Sequence, residues 1–198
     1  NKGILPVAVA TAMFGAGVAS AADFYLTNDA TIDNQTGGNA TTNYIVNNNS
    51  TLSTNSSMTV YYGTIDGVAL INDSGRGGTV TIGGNLTMHG NIGATNATGN
   101  FTISNGNTLT LASNVSTFNS DNMTLSDNTV LNFGNVTSGY NRGSSETLTF
   151  ASNITMGSNS TINVGGGTTL NGNIYGTSNG AGTLNVLGNF TSTGSIGA

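Results

Sequence analysis

Gly176-Thr177-Ser178-Asn179-Gly180 reproduces the Gly-x-Ser-x-Gly spacing of a nucleophile elbow. That motif works when a sharp strand-to-helix turn exposes the serine and a downstream histidine serves as its base. Here Ala181-Gly182-Thr183-Leu184 leads into another strand-like unit, and the only histidine, His89, lies far upstream. The segment reads as a turn. His89 stands between Met88 and Gly90, with no second His and no Cys to share a metal ion, so it reads as a solvated surface histidine. Enzymes that cleave polysaccharides on long β scaffolds need clustered carboxylates, often beside a cation. The acids are Asp23, Asp29, Asp33, Asp66, Asp73, Asp121, Asp127 and Glu146. Asp29 and Asp33 have the spacing to share a strand face, and Asp121 and Asp127 flank one strand, but neither pair has a cation at a useful distance along the chain. Asp66-Gly67 and Asp73-Ser74-Gly75 read as turns. The Gly-Gly-x-Gly-x-Asp calcium nonapeptide is missing, and the runs Gly75-Arg76-Gly77-Gly78 and Gly165-Gly166-Gly167 lack the Lys-Ser/Thr of a phosphate loop. The expectation is no catalytic residue, no cofactor, no metal site, and no enzyme.

Composition narrows the class further. Charged residues make up only 6% of the 198-residue chain, the net charge is −5, and Lys2, Arg76 and Arg142 are the only fixed cations. Nucleic-acid binding needs clustered Lys and Arg to displace phosphate counterions, so it is excluded. Disorder requires low hydrophobicity together with high net charge. At 36% hydrophobic, with those residues recurring regularly, the chain is instead an ordered β protein with a polar surface. The absence of Cys removes disulfides and thiolate chemistry.

The first residues have the grammar of an export signal. Asn1-Lys2-Gly3 is a short cationic start, and an apolar run from Ile4 to Phe14 follows it. Ala19-Ser20-Ala21 then meets the small-x-small requirement of a signal peptidase. The run is too short and glycine-rich for a membrane-spanning helix, which takes about 20 apolar residues. Residues 1–21 are therefore expected to be a signal peptide cleaved after Ala21, with Ala22 the alternative and Ala19 the other small recognition residue. The mature part is expected not to span a membrane. With Asn in place of a starting Met and Ala198 inside a repeat, the chain is expected to be the front of a longer protein.

Beyond the signal, two apolar residues repeatedly flank one polar residue. Val80-Thr81-Ile82, Leu86-Thr87-Met88, Phe101-Thr102-Ile103, Leu109-Thr110-Leu111, Met123-Thr124-Leu125 and Ile162-Asn163-Val164 are examples. Period-two alternation sends the apolar pair to one face of a strand and Thr or Asn to the other. Gly, Asn, Asp and Ser fill the gaps, and the only proline, Pro6, lies in the signal. Residues 78–93 align without gaps on residues 182–197, about half of the positions being identical, and Leu170-Asn171-Gly172-Asn173-Ile174 matches Met88-His89-Gly90-Asn91-Ile92. Degenerate repeats of short strands mark a solenoid. Three strands per turn predict coils of about 20 residues. The fold expected is all-β, a right-handed parallel β-helix, over residues 76–198. Residues 22–75 repeat less clearly and are expected to form an N-terminal cap and irregular first coils, with strands at Tyr44-Ile45-Val46, Met58 to Tyr62 and Val68 to Ile71. An antiparallel sandwich is the competing arrangement.

Gly182-Thr183-Leu184-Asn185-Val186-Leu187-Gly188-Asn189-Phe190-Thr191 resembles the repeat of type V autotransporter passengers. Gly90-Asn91-Ile92-Gly93-Ala94-Thr95-Asn96-Ala97 with Asn100-Phe101-Thr102-Ile103 is similar to the passengers of outer-membrane surface-cell-antigen autotransporters. The resemblance covers residues 75–198 and the signal. It implies a β-helical passenger threaded through a C-terminal translocator β-barrel and displayed on the outer membrane or released. It also implies adhesion to a host-cell or matrix receptor or a glycan, through outward Thr and Asn and loops such as residues 134–146. Two-partner-secretion haemagglutinins share such repeats without a barrel of their own, and a purely structural stalk or surface-layer component is the other alternative. Asn-x-Ser/Thr triplets such as Asn85-Leu86-Thr87, Asn100-Phe101-Thr102 and Asn153-Ile154-Thr155 follow from a chain this rich in Asn and Thr.

Overall fold

The computed structural model describes residues 22–26, 30–32, 42–47, 50–60, 64–67, 77–133 and 147–197. Among them are eighteen β-strands and no helix. All of their strand pairings are parallel. The chain winds as a parallel β-helix, and each strand lies beside its counterparts one coil earlier and one coil later. The antiparallel alternative is not what forms.

Three faces result. Face one stacks β2 (Ala30–Ile32), β4 (Thr51–Thr54), β7 (Thr79–Ile82), β9 (Thr98–Ile103), the later parts of β11 (Thr117–Leu125) and β13 (Leu148–Met156), and β16 (Ile174–Gly176). Face two stacks β5 (Met58–Val60), β8 (Leu86–Met88), β10 (Thr108–Leu111), β12 (Val130–Phe133), β14 (Thr161–Val164) and β17 (Thr183–Val186). Face three holds β1 (Ala22–Leu26), β3 (Thr42–Val46) and β6 (Ile65–Gly67), then Ile92, which bridges Ile65 and Phe118. The early parts of β11 and β13, then β15 (Thr168–Asn171) and β18 (Phe190–Ser192), complete it. The strands expected at Tyr44 and Met58 are therefore rungs of this ladder, in β3 and β5. The one at Val68 to Ile71 lies outside the described residues, as do residues 1–21 and 134–146.

Alternation explains the interior. β7, β10, β12 and β14 each bury their second and fourth residues and leave the first and third half-exposed. Leu109, Leu111, Leu131, Phe133, Ile162 and Val164 are all fully buried, each contributing about 1.5–3 kcal/mol on leaving water. Four phenylalanines join the faces inside. Phe118 stacks on Phe150 at 4.2 Å with rings 6° apart, Phe133 lies 4.6 Å from Phe150, and Phe101 meets Phe118 edge-on at 5.1 Å.

Corners are where the sequence departs from alternation. In β11 the register shifts between Asn119 and Asn122, a bulge that turns the strand from face three onto face one. A short polar column lines the inside of that bend: Ser120 and Ser152 hydroxyls lie 2.9 Å apart, and Thr98 pairs with Ser120 one coil earlier. In three successive coils the corner from face one to face two turns on a left-handed residue: Gly106 (φ 76°), Asn128 (φ 58°) and Asn159 (φ 55°). One residue later a side chain closes each turn: Asn107 Nδ2 donates to Ser104 O, Thr129 Oγ1 to Ser126 O, and Ser160 Oγ to Gly157 O.

The internal repeat is offset against the coil. Thr79–Ile82 lies on face one, whereas its sequence counterpart Thr183–Val186 lies on face two. Ile92 belongs to face three, whereas its counterpart Ile196 bridges Ile174 on face one. What recurs in the sequence is a corner with its flanking strands, because every corner poses the same local problem whichever face it leaves.

Candidate binding surface

With apolar residues turned inward, the outside is built from what alternates with them. On face two, register stacks Thr87, Thr110, Asn132, Asn163 and Asn185 in one column. From Thr110 to Asn185 their side chains form a continuous ladder. Asn132 Nδ2 donates to Thr110 Oγ1 at 3.2 Å, Asn163 Nδ2 to Asn132 Oδ1 at 2.8 Å, and Asn185 Nδ2 to Asn163 Oδ1 at 2.9 Å. Successive members stand 22, 31 and 22 residues apart in the chain. The long step contains residues 134–146. Thr108, Val130, Thr161 and Thr183 form a second column beside the first.

Face one carries an equivalent pair of columns, Thr79-Asn100-Asn122-Asn153 and Thr81-Thr102-Thr124-Thr155-Tyr175. Asn122 Nδ2 reaches Asn100 Oδ1 at 3.5 Å, and Asn173 Nδ2 reaches Asn153 Oδ1 at 3.1 Å. Asn100, Asn122, Thr124 and Asn153 are exposed. A third amide ladder follows the turns, from Asn159 to Asn128 at 3.3 Å and from Asn128 to Asn105 at 3.5 Å. Corner side chains also tie one coil to the next. Asn91 Oδ1 accepts from Ser116 N, Asn173 Oδ1 from Ser195 N, and Asp127 Oδ1 from Ser158 N.

The residues singled out for chemistry are dispersed over this scaffold. Ser178 is exposed in a turn closed by Ala181 N donating to Ser178 O at 3.0 Å, and that turn enters β17. His89 is half-exposed just after β8. Its Nδ1 lies 3.2 Å from Asn114 Oδ1, and its carbonyl accepts from Asn114 Nδ2 at 2.8 Å. Asp66 is buried and accepts from Thr95 N at 3.0 Å and Thr64 Oγ1 at 3.2 Å, joining neighbouring coils. Asp121 sits in the bulge of β11, and Asp127 in the turn before β12. Among the described residues no three His, Asp or Glu side chains gather to hold a metal ion. No helix among them is long and apolar enough to cross a membrane. Ala22 opens β1, opposite Thr42. Ala19, Ala21, Asp29, Asp33, Asp73 and Glu146 lie outside the described residues.

The sequence identifies Thr and Asn as outward-facing and able to form ladders along the rod, but not which of them share a column. Part of the signal was present in the sequence: Thr110, Asn132 and Asn163 each stand four residues after a left-handed turn residue, Gly106, Asn128 and Asn159, although Asn185 stands five after Gly180. No family model, no curated protein and no solved structure matches the chain.

Proposed function

We propose that this chain is a surface-displayed passenger of the type V secretion kind, an adhesive and structural rod. The observation that carries this reading is the division of labour across the β-helix wall. The inside is filled with Leu, Ile, Val, Met and Phe, while the outside repeats uncharged amides and hydroxyls along the rod. Such a wall offers an extended hydrogen-bonding surface in place of a pocket. Its contacts are many and individually weak, which suits adhesion through repetition. The cationic start, apolar run and Ala19-Ser20-Ala21 site supply the route out of the cell, and the passenger-like repeats supply the expectation of a translocator barrel.

The test is binding of the purified, folded chain to host cells, matrix proteins and a glycan panel. Saturable binding that is lost when Asn122, Thr124 and Asn153 are replaced together by Ala supports the adhesive role. A folded rod that binds none of them leaves a stalk or surface-layer role in its place.

A further inference from the structure

We infer that face two is a self-association surface, on which a second copy of this chain lies alongside the first. The argument needs only the folded rod and goes beyond the adhesive reading. Each side-chain amide has two N–H donors and two acceptor lone pairs. In the ladder, Asn132 and Asn163 each donate once and accept once along the column. A second N–H and a second lone pair of each therefore remain for solvent or a partner. The ladder already holds these side chains in place, so engaging them costs little further rotamer entropy.

Three features select the occupant. The first is period. Rungs of a parallel sheet recur every 4.7–4.9 Å or so, and a partner that meets every rung must share that repeat. A second copy shares it by construction, as the facing sheets of a steric zipper do. The second is self-complementarity. A two-fold contact sets the same patch against itself, and a column of amides and hydroxyls, each able both to donate and to accept, satisfies this where a one-sign charge column does not. The third is charge. Despite the net charge of −5, no strand of face two carries a charged residue. By contrast, Asp121 interrupts the corner between faces three and one. Asp127, in the turn leading to face two, is already bound to Ser158 N.

The contact is weak for a single pair of chains. Six rungs of about 4.8 Å and strands about 13 Å long give each partner roughly 400 Å², against about 800 Å² per partner in a standard stable interface. Pairing is therefore concentration-dependent and gains from many rods standing together.

The experiment is small-angle scattering and sedimentation of the full chain over a wide concentration series, in low and high salt. Side-by-side pairing doubles the mass per unit length at constant rod length, and it persists in high salt because no ion pairs are involved. Thr161→Arg with Thr183→Arg adds two cations beside the ladder without touching it, and abolishes the doubling. Thr124→Arg with Thr155→Arg on face one retains it, and circular dichroism checks that both variants are folded. A rod that stays single at every concentration overturns the inference. So does one that lengthens without thickening, or one whose thickening survives the face-two change or is lost equally with the face-one change.

Discussion

Thr98 is the residue at which this interior is least satisfied. It is fully buried, and its Oγ1 finds no hydrogen-bond partner among the described residues, whereas Ser120 and Ser152 further along the same column bond to each other. A buried hydroxyl without a partner carries its desolvation cost uncompensated, about 1–3 kcal/mol. Thr98→Val keeps the shape and removes the hydroxyl, so it is expected to raise stability by about 1 kcal/mol in chemical denaturation. Ser120→Ala has the opposite sign, since it deprives Ser152 of its 2.9 Å partner. If both changes destabilise equally, this account of the column is wrong. Glycines at the corners are constrained differently. A Cβ on Gly93 or Gly172 would stand 2.0 Å from a backbone carbonyl oxygen, of Asn119 and Ser152 respectively, and both glycines have positive φ. These glycines let adjacent coils close on each other.

At the scale of the strand, alternation decides everything, because a shift by one residue would exchange core and solvent faces. Leu111 and Ile162 are inward and fully buried in β10 and β14. Leu111→Asp or Ile162→Asp places an unpaired charge among apolar side chains, a cost of several kcal/mol. Limited proteolysis should then open the neighbouring coils first, and unchanged resistance would contradict the inward assignment. This level was readable from sequence: units such as Leu109-Thr110-Leu111 declare both strand and face. The corners were less so. Ser120-Asp121 in the bulge breaks the period, and only the partner strand shows that two residues there oppose one.

For the whole molecule, stability is a sum of rungs and of the contacts between neighbours. Phe150 stacks on Phe118 of the preceding coil at 4.2 Å and on Phe133 at 4.6 Å, so it ties neighbouring coils together. Phe150→Ala is expected to cost about 3–5 kcal/mol and to lower the melting temperature of the rod, read by circular dichroism. An unchanged melting temperature would show that the coils are stable independently of this stack.

What the sequence determined by itself is the strand, its inward side, and the solenoid that follows from repeating both, because alternation and turn chemistry act over a few residues. Which strands share a face, and hence that Thr110, Asn132, Asn163 and Asn185 form one ladder, was decided only in three dimensions. Coil lengths vary, with steps of 22 and 31 residues in that column alone. The sequence repeat also follows corners and not coils, so no fixed offset along the chain brings the amides together. Their alignment comes from the parallel backbone ladder, which holds equivalent side chains one rung apart however much chain lies between them.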